Sequence, residues 1–144
     1  MEISLLTPET PLVLDLDTAT EEKAILELAA HLKGHPHVGD LAAFIRAVLE
    51  RQKINPPLLG SGIALPHART SAVGEVVFAI GRTLVPVPFG EAKCPVRLIF
   101  LYGIPPHRVA EHLATTARLA RKLRDPAVLA GLLAAADEEA FRQI

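Results

Sequence analysis

The sequence predicts an α/β sandwich, and three observations lead there. Segments with apolar residues at helical spacing lie both early and late in the chain. Between them sit two short, continuous apolar runs of the kind that form buried strands. The chain has 144 residues, half of them apolar and 22% charged, enough for a substantial core and too apolar for disorder. Helices both before and after strands favour layers of helix on sheet. One domain over residues 1–144 is expected, with residues 1–12 as an irregular lead-in because Pro8 and Pro11 oppose regular structure there.

Val13-Leu14-Asp15-Leu16-Asp17 alternates apolar and acidic residues, which suits a short edge strand. Thr18-Ala19-Thr20-Glu21 has capping-box spacing. Ile25, Leu28, Ala29 and Leu32 then recur at helical spacing, and Gly34 follows where a left-handed residue ends a helix. A second helix opens at the capping residue Asp40 and carries Leu41, Phe44, Ile45, Val48 and Leu49 on one face. Glu50 and Arg51 close it before Pro56-Pro57.

Val76-Val77-Phe78-Ala79-Ile80, bounded by Gly74 and Gly81, and Val96 to Tyr102 read as buried strands. Leu84-Val85-Pro86-Val87-Pro88 is extended between them, with prolines that keep it off central sheet positions. A third helix is expected from His107 to Leu123, with Val109, Leu113, Thr116, Ala117, Ala120 and Leu123 as its apolar stripe. Asp125 caps the next helix with Pro126 in its first turn, and Val128, Leu129, Leu132 and Leu133 form its inner face. Asp137 caps a short terminal helix containing Phe141 and Ile144.

Charge and targeting signals narrow the function classes. A formal net charge of −1 argues against nucleic-acid binding, which needs a clear basic excess. Met1 to Pro8 has no basic region before its brief apolar run, so no secretory signal is expected, and no apolar stretch is long enough to insert in a bilayer. Cys94 is the only cysteine, so no intrachain disulfide can form, and a cytoplasmic setting is natural.

The segment Leu59-Gly60-Ser61-Gly62-Ile63-Ala64-Leu65-Pro66-His67-Ala68-Arg69 carries the chemistry. Gly60 and Gly62 allow a sharp turn and close approach to a ligand. Pro66 fixes its own φ and biases Leu65 to extended backbone, which puts His67 where a strand ends and a loop begins. Histidine offers a neutral, nucleophilic imidazole near physiological pH. Arg69, or another arginine brought in by the fold, can hold a phosphoryl group through paired N–H donors. Read from the residues alone, an ordinary loop histidine fits His67 equally well, and a solvated loop cation fits Arg69.

The run Gly62-Ile63-Ala64-Leu65-Pro66-His67-Ala68 resembles the active-site motif of the enzyme IIA domains of the bacterial phosphotransferase system. The branch is the fructose–mannitol type, which includes the nitrogen-related regulatory proteins. The resemblance extends to Leu49-Glu50-Arg51, whose arginine lies sixteen residues before the histidine, and to Glu111-His112-Leu113 after the aliphatic run and Pro105-Pro106. It covers the chain from about Leu14 to Ile144.

The resemblance implies a mixed central sheet with helices on both faces. It implies that His67 accepts a phosphoryl group from a phosphohistidine carrier protein and passes it to an enzyme IIB partner, usually at a cysteine, or uses it as a regulatory signal. It makes Arg51 a residue that helps hold the phosphoryl group and His112 the second active-site histidine. Without it, Arg51 reads as a helix-end cation suited to the helix dipole, and His112 as a helix-surface histidine. No cofactor is called for.

Two other features invite chemistry. His31, His35 and His37 form a cluster, but Gly34 and Pro36 break the helix and no acid or cysteine completes a ligand set, so no metal is expected. Cys94 precedes Pro95 without an anion-cradling glycine loop after it and reads as a packing cysteine. A second class of function stays open at this point: a binding module that keeps the fold and acts by protein contact alone.

Overall fold

A computed structural model describes residues 10–54, 57–60 and 62–143, with Val109 and His112 described through their backbone. Among these residues six strands, β1 (Leu12–Leu16), β2 (Leu58–Leu59), β3 (Ile63–Ala64), β4 (His67–Arg69), β5 (Val77–Phe89) and β6 (Cys94–Ile104), form one sheet. Among the described residues five helices accompany it: α1 (Glu21–Ala30), α2 (Leu41–Ile54), α3 (Val109–Leu123), α4 (Pro126–Ala134) and α5 (Glu138–Arg142).

The sheet order is β1-β5-β6-β3-β2, with β4 also paired to β6. β1 runs parallel to β5, and β3 and β4 run parallel to β6, while β5–β6 and β2–β3 are antiparallel. The sheet is therefore mixed. Because side chains alternate across a strand, each inner strand feeds two cores. Ala64, Val77, Ala79, Ile99 and Leu101 join α1 and α2 residues such as Ile25, Leu28, Phe44 and Val48. Ile63, Phe78, Ile80, Leu98, Phe100 and Tyr102 join Leu119, Leu123, Leu132 and Phe141 of α3, α4 and α5. Helices thus cover both faces, as expected.

Local signals set most boundaries. The Asp40, Asp125 and Asp137 carboxylates accept from the N–H groups of Ala43, Ala127 and Ala140 at 3.0, 2.9 and 2.8 Å. Each satisfies a backbone donor that a helix start leaves without an intrahelical partner. Gly34 adopts φ 80° just beyond α1. At the far end of α4, the Arg82 guanidinium donates to the carbonyls of Leu132 at 3.0 Å and Ala135 at 2.8 Å, closing that terminus from the sheet.

Five expectations need correction. The cap of α1 is Thr20, whose Oγ1 accepts from Lys23 N–H at 3.2 Å, and not Thr18. Glu21 does not complete a capping box, because its carboxylate accepts from Gln52 Nε2 at 2.7 Å and Gly90 N–H at 3.0 Å. α2 does not close at Arg51 but runs on to Ile54. β5 continues through Gly81, Pro86 and Pro88 as one long strand. This is possible because its partner β1 reaches only Thr83, the register shifts between Arg82 and Val87, and Pro88 faces Pro95, where neither residue is asked to donate.

The fifth correction concerns α3, which starts at Val109 rather than His107. The Pro105–Arg108 turn delays it, with Arg108 N–H donating to Pro105 O at 3.0 Å and its guanidinium paired with Glu75 and Glu111 at 2.9 Å. Its inner stripe is Thr115, Leu119 and Leu123, while Leu113 is 65% exposed. Polar Thr115 disguised the true stripe. Residues 1–9 of the lead-in, Pro56 and Ile144 lie outside the described residues; the lead-in ends before Leu12, which already belongs to β1.

Candidate active site

Gly62 holds φ 78°, and a Cβ there would meet the Pro95 carbonyl at 3.3 Å. Its own carbonyl accepts from Arg97 and Leu98 N–H at 2.9 and 3.2 Å, fixing the start of β3 against β6. β3 and β4 then lie on one line beside β6, interrupted by Leu65-Pro66. The register does not slip across that gap, since Ile63 pairs with Leu98 and His67 with Tyr102. A slip of one residue would have turned His67 to the other face. Pro66 has no N–H to place in a ladder, and its carbonyl accepts from Tyr102 N–H at 3.0 Å.

His67 therefore opens a short strand, whereas the sequence had placed it where one ends. It is partly exposed and shares the α3 side of the sheet with Tyr102. The two rings stack with centroids 4.6 Å apart and planes 7° from parallel. His67 Nδ1 lies 2.7 Å from Leu65 O. A carbonyl only accepts, so Nδ1 carries a proton, and in the neutral imidazole the lone pair is then on Nε2.

Tyr102 is fully buried, and its hydroxyl meets Thr116 Oγ1 of α3 at 2.8 Å. Burial pushes its pKa above the ordinary 10.0; the Thr116 hydrogen bond and the nearby positive charge of Arg51 pull the other way. α2 packs against β4, and Arg51 in its last turn thus brings a cation to the ring that lies against His67. Arg69, the last residue of β4, lies on the same strand face as His67 and is exposed.

His112 lies on α3 four residues before Thr116, one turn along the helix that touches Tyr102; its side chain is outside the described residues. The structure thus gathers His67, Tyr102 and Thr116, with the charge of Arg51 beside them. Sequence reading missed Tyr102 as part of the site and gave Thr116 only a packing role. A signal was present in the single tyrosine of the chain, standing in a mostly apolar strand.

The clefts at the Cys94 end of β6, about 520 and 650 Å³, are not lined by His67. His67 itself is partly exposed. At the other histidine cluster, His37 N–H donates to His35 Nδ1 at 3.1 Å, and no group of three or more His, Cys, Asp or Glu among the described residues could hold a metal. No helix among the described residues is long and apolar enough to cross a membrane.

The chain thus places a histidine of fixed ring orientation on a mixed parallel-and-antiparallel sheet between helical layers, with the charge of Arg51 nearby. The family model described as "Phosphoenolpyruvate-dependent sugar phosphotransferase system, EIIA 2" matches residues 5–144, and the chain belongs to that family. It is 30% identical to the fructose-specific EIIA component of Haloferax volcanii, over 99% of this chain and 94% of that one. It is 29% identical to the 2-O-alpha-mannosyl-D-glycerate-specific EIIABC component of Escherichia coli over 94% of this chain, and there it spans only 21% of the relative's length. The solved nitrogen regulatory protein IIA-Ntr of Neisseria meningitidis superposes with a TM-score of 0.85 at 28% identity, covering 94% of this chain and 93% of that one.

Proposed function

We propose that the chain is a phosphocarrier whose phosphoryl acceptor is His67 Nε2. The observation that carries this is the Nδ1–H bond to Leu65 O at 2.7 Å, which leaves the lone pair on the other ring nitrogen. That lone pair attacks the phosphorus of a phosphohistidine on an upstream carrier protein. The P–Nε2 bond forms as the donor's P–N bond breaks, and the donor imidazole leaves with the electron pair. In the onward step a nucleophile of the partner, a cysteine thiolate in an enzyme IIB, attacks the same phosphorus and the His67 imidazole leaves.

Such transfer needs in-line geometry and charge stabilisation rather than further covalent chemistry. Arg51 supplies a cation to the phosphoryl oxygens, Arg69 a second from the same strand face, and His112 a ring nitrogen from α3. The neutral Nδ1–H tautomer is also stabilised as a leaving group once the phosphoryl group departs. The exposed Leu113 next to His112 favours a protein partner docking over this end of α3. The whole of residues 1–144 acts as one IIA unit, working in the cytoplasm with no cofactor.

The Haloferax and Escherichia relatives are sugar-specific components, whereas the Neisseria structure is a nitrogen regulatory protein. On the present reading, phosphorylated His67 serves either output in this chain. The test is incubation with phosphoenolpyruvate and the two general phosphotransfer proteins, read by intact mass. A gain of one phosphoryl group, absent in His67→Ala, is expected. Folded protein with no gain, while a control carrier is phosphorylated, would turn the assignment to a module acting by contact alone.

A further inference from the structure

Three aromatic rings stand in a row across adjacent strands. His67 of β4 pairs with Tyr102 of β6, and Tyr102 pairs with Phe78 of β5. The His67 and Tyr102 centroids are 4.6 Å apart, and those of Tyr102 and Phe78 are 5.1 Å apart. Tyr102 is thus clamped between the histidine and a buried phenylalanine, and its tip is held by Thr116 Oγ1 at 2.8 Å. It has neither the space to swing aside nor an unengaged hydroxyl.

The lone pair of an imidazole lies in the ring plane. Two constraints set where it points: rotation within the plane and tilt of the plane. The Nδ1–H bond to Leu65 O sets the first. A rigid ring lying 7° from parallel restrains the second. We propose that the ring of Tyr102, braced by Phe78, is a positioning element that holds the plane of the His67 imidazole and so the line along which Nε2 meets phosphorus.

This rests on the reading of His67 as phosphoryl acceptor and adds to it a residue that touches neither the phosphoryl group nor the partner. A flat brace of this kind acts on the rate of the transfer step. Attack on phosphorus is sensitive to direction, and a displacement of about 1 Å can cost roughly a hundredfold in rate. Donor binding, which depends on the protein surface, is left in place.

The experiment joins NMR of the His67 ring to transfer kinetics in the parent, Tyr102→Phe and Tyr102→Leu, with Tyr102→Ile as the alternative if the leucine variant does not fold. In the parent, the His67 ring protons are expected to show the upfield shift of a ring stacked on an aromatic, with Nδ1 protonated. Tyr102→Phe keeps the platform and should hold kcat within about threefold. Tyr102→Leu or Tyr102→Ile should lose the shift and lower kcat at least ~10-fold, with the KM for the donor protein changed less than about threefold.

A parent spectrum without the upfield shift would overturn the inference. So would an aliphatic variant with the parent's kcat, or Tyr102→Phe falling as far as the leucine. If the parent itself takes no phosphoryl group, the carrier reading fails, and the NMR comparison still tells whether Tyr102 fixes the ring.

Discussion

Phe44 of α2 lies over Gly103 of β6 so closely that a Cβ on the glycine would stand 2.6 Å from Phe44 Cε1. The contact sets how near α2 comes to the sheet. Arg51 follows Phe44 by two helical turns on the same helix, so the distance fixed at Gly103 is passed on to the cation beside Tyr102.

Gly103→Ala should therefore act on both stability and transfer. Overpacking a closed core costs about 1–3 kcal/mol. Urea unfolding is expected to show a loss in that range, with slower phosphoryl transfer from a displaced Arg51. An unchanged midpoint would mean that Phe44 turns aside without cost.

Gly62 has a different role. Its φ of 78° lies in the left-handed region, and the Pro95 carbonyl stands 3.3 Å from where a Cβ would be. Gly62→Ala is expected to destabilise by about 1–2 kcal/mol, since a side chain in that region is strained. Because the glycine anchors β3 against β6, exchange of the Tyr102 amide, which donates to Pro66 O at 3.0 Å, should quicken in the same variant. Exchange as slow as the parent's would separate the turn from the site.

Tyr102 is the only tyrosine, so phenolate absorbance reads it alone. Its pKa is raised by burial from the ordinary 10.0. A raised folded-state pKa stabilises the fold fully below the unfolded value and loses that contribution as pH climbs through the folded one. The native chain should titrate above pH 10.0 and the unfolded chain near it, with stability falling across that alkaline window. Tyr102→Phe should flatten this part of the stability curve. A native titration at or below the unfolded one would contradict the buried, Thr116-bound hydroxyl.

Arg51→Ala removes the cation beside the site. Loss of one such electrostatic contact typically costs roughly 100- to 1,000-fold in turnover. The expected result is a fall in kcat of about that size with donor KM little changed, as a contact made chiefly in the transition state would give. Equal single-turnover rates in variant and parent would remove Arg51 from the chemistry.

Much of this was readable in the sequence because the signals are local. Asp40, Asp125 and Asp137 cap the helices they precede, and Gly62, Pro66 and His67 act within a few residues of one another. What escaped depends on partners distant in sequence. The prolines of β5 are tolerated because β1 stops at Thr83, which no window around Pro86 reveals. The inner stripe of α3 hid behind Thr115. Tyr102 joins the site only through a cross-strand register that places it opposite His67.

The central claim is that phosphorus is carried on Nε2 of His67, and correlated phosphorus–nitrogen NMR of the ¹⁵N-labelled, phosphorylated protein tests it most directly. The account predicts coupling from phosphorus to Nε2 of His67 and to no other side chain. Coupling to Nδ1, or to a residue other than His67, would contradict it.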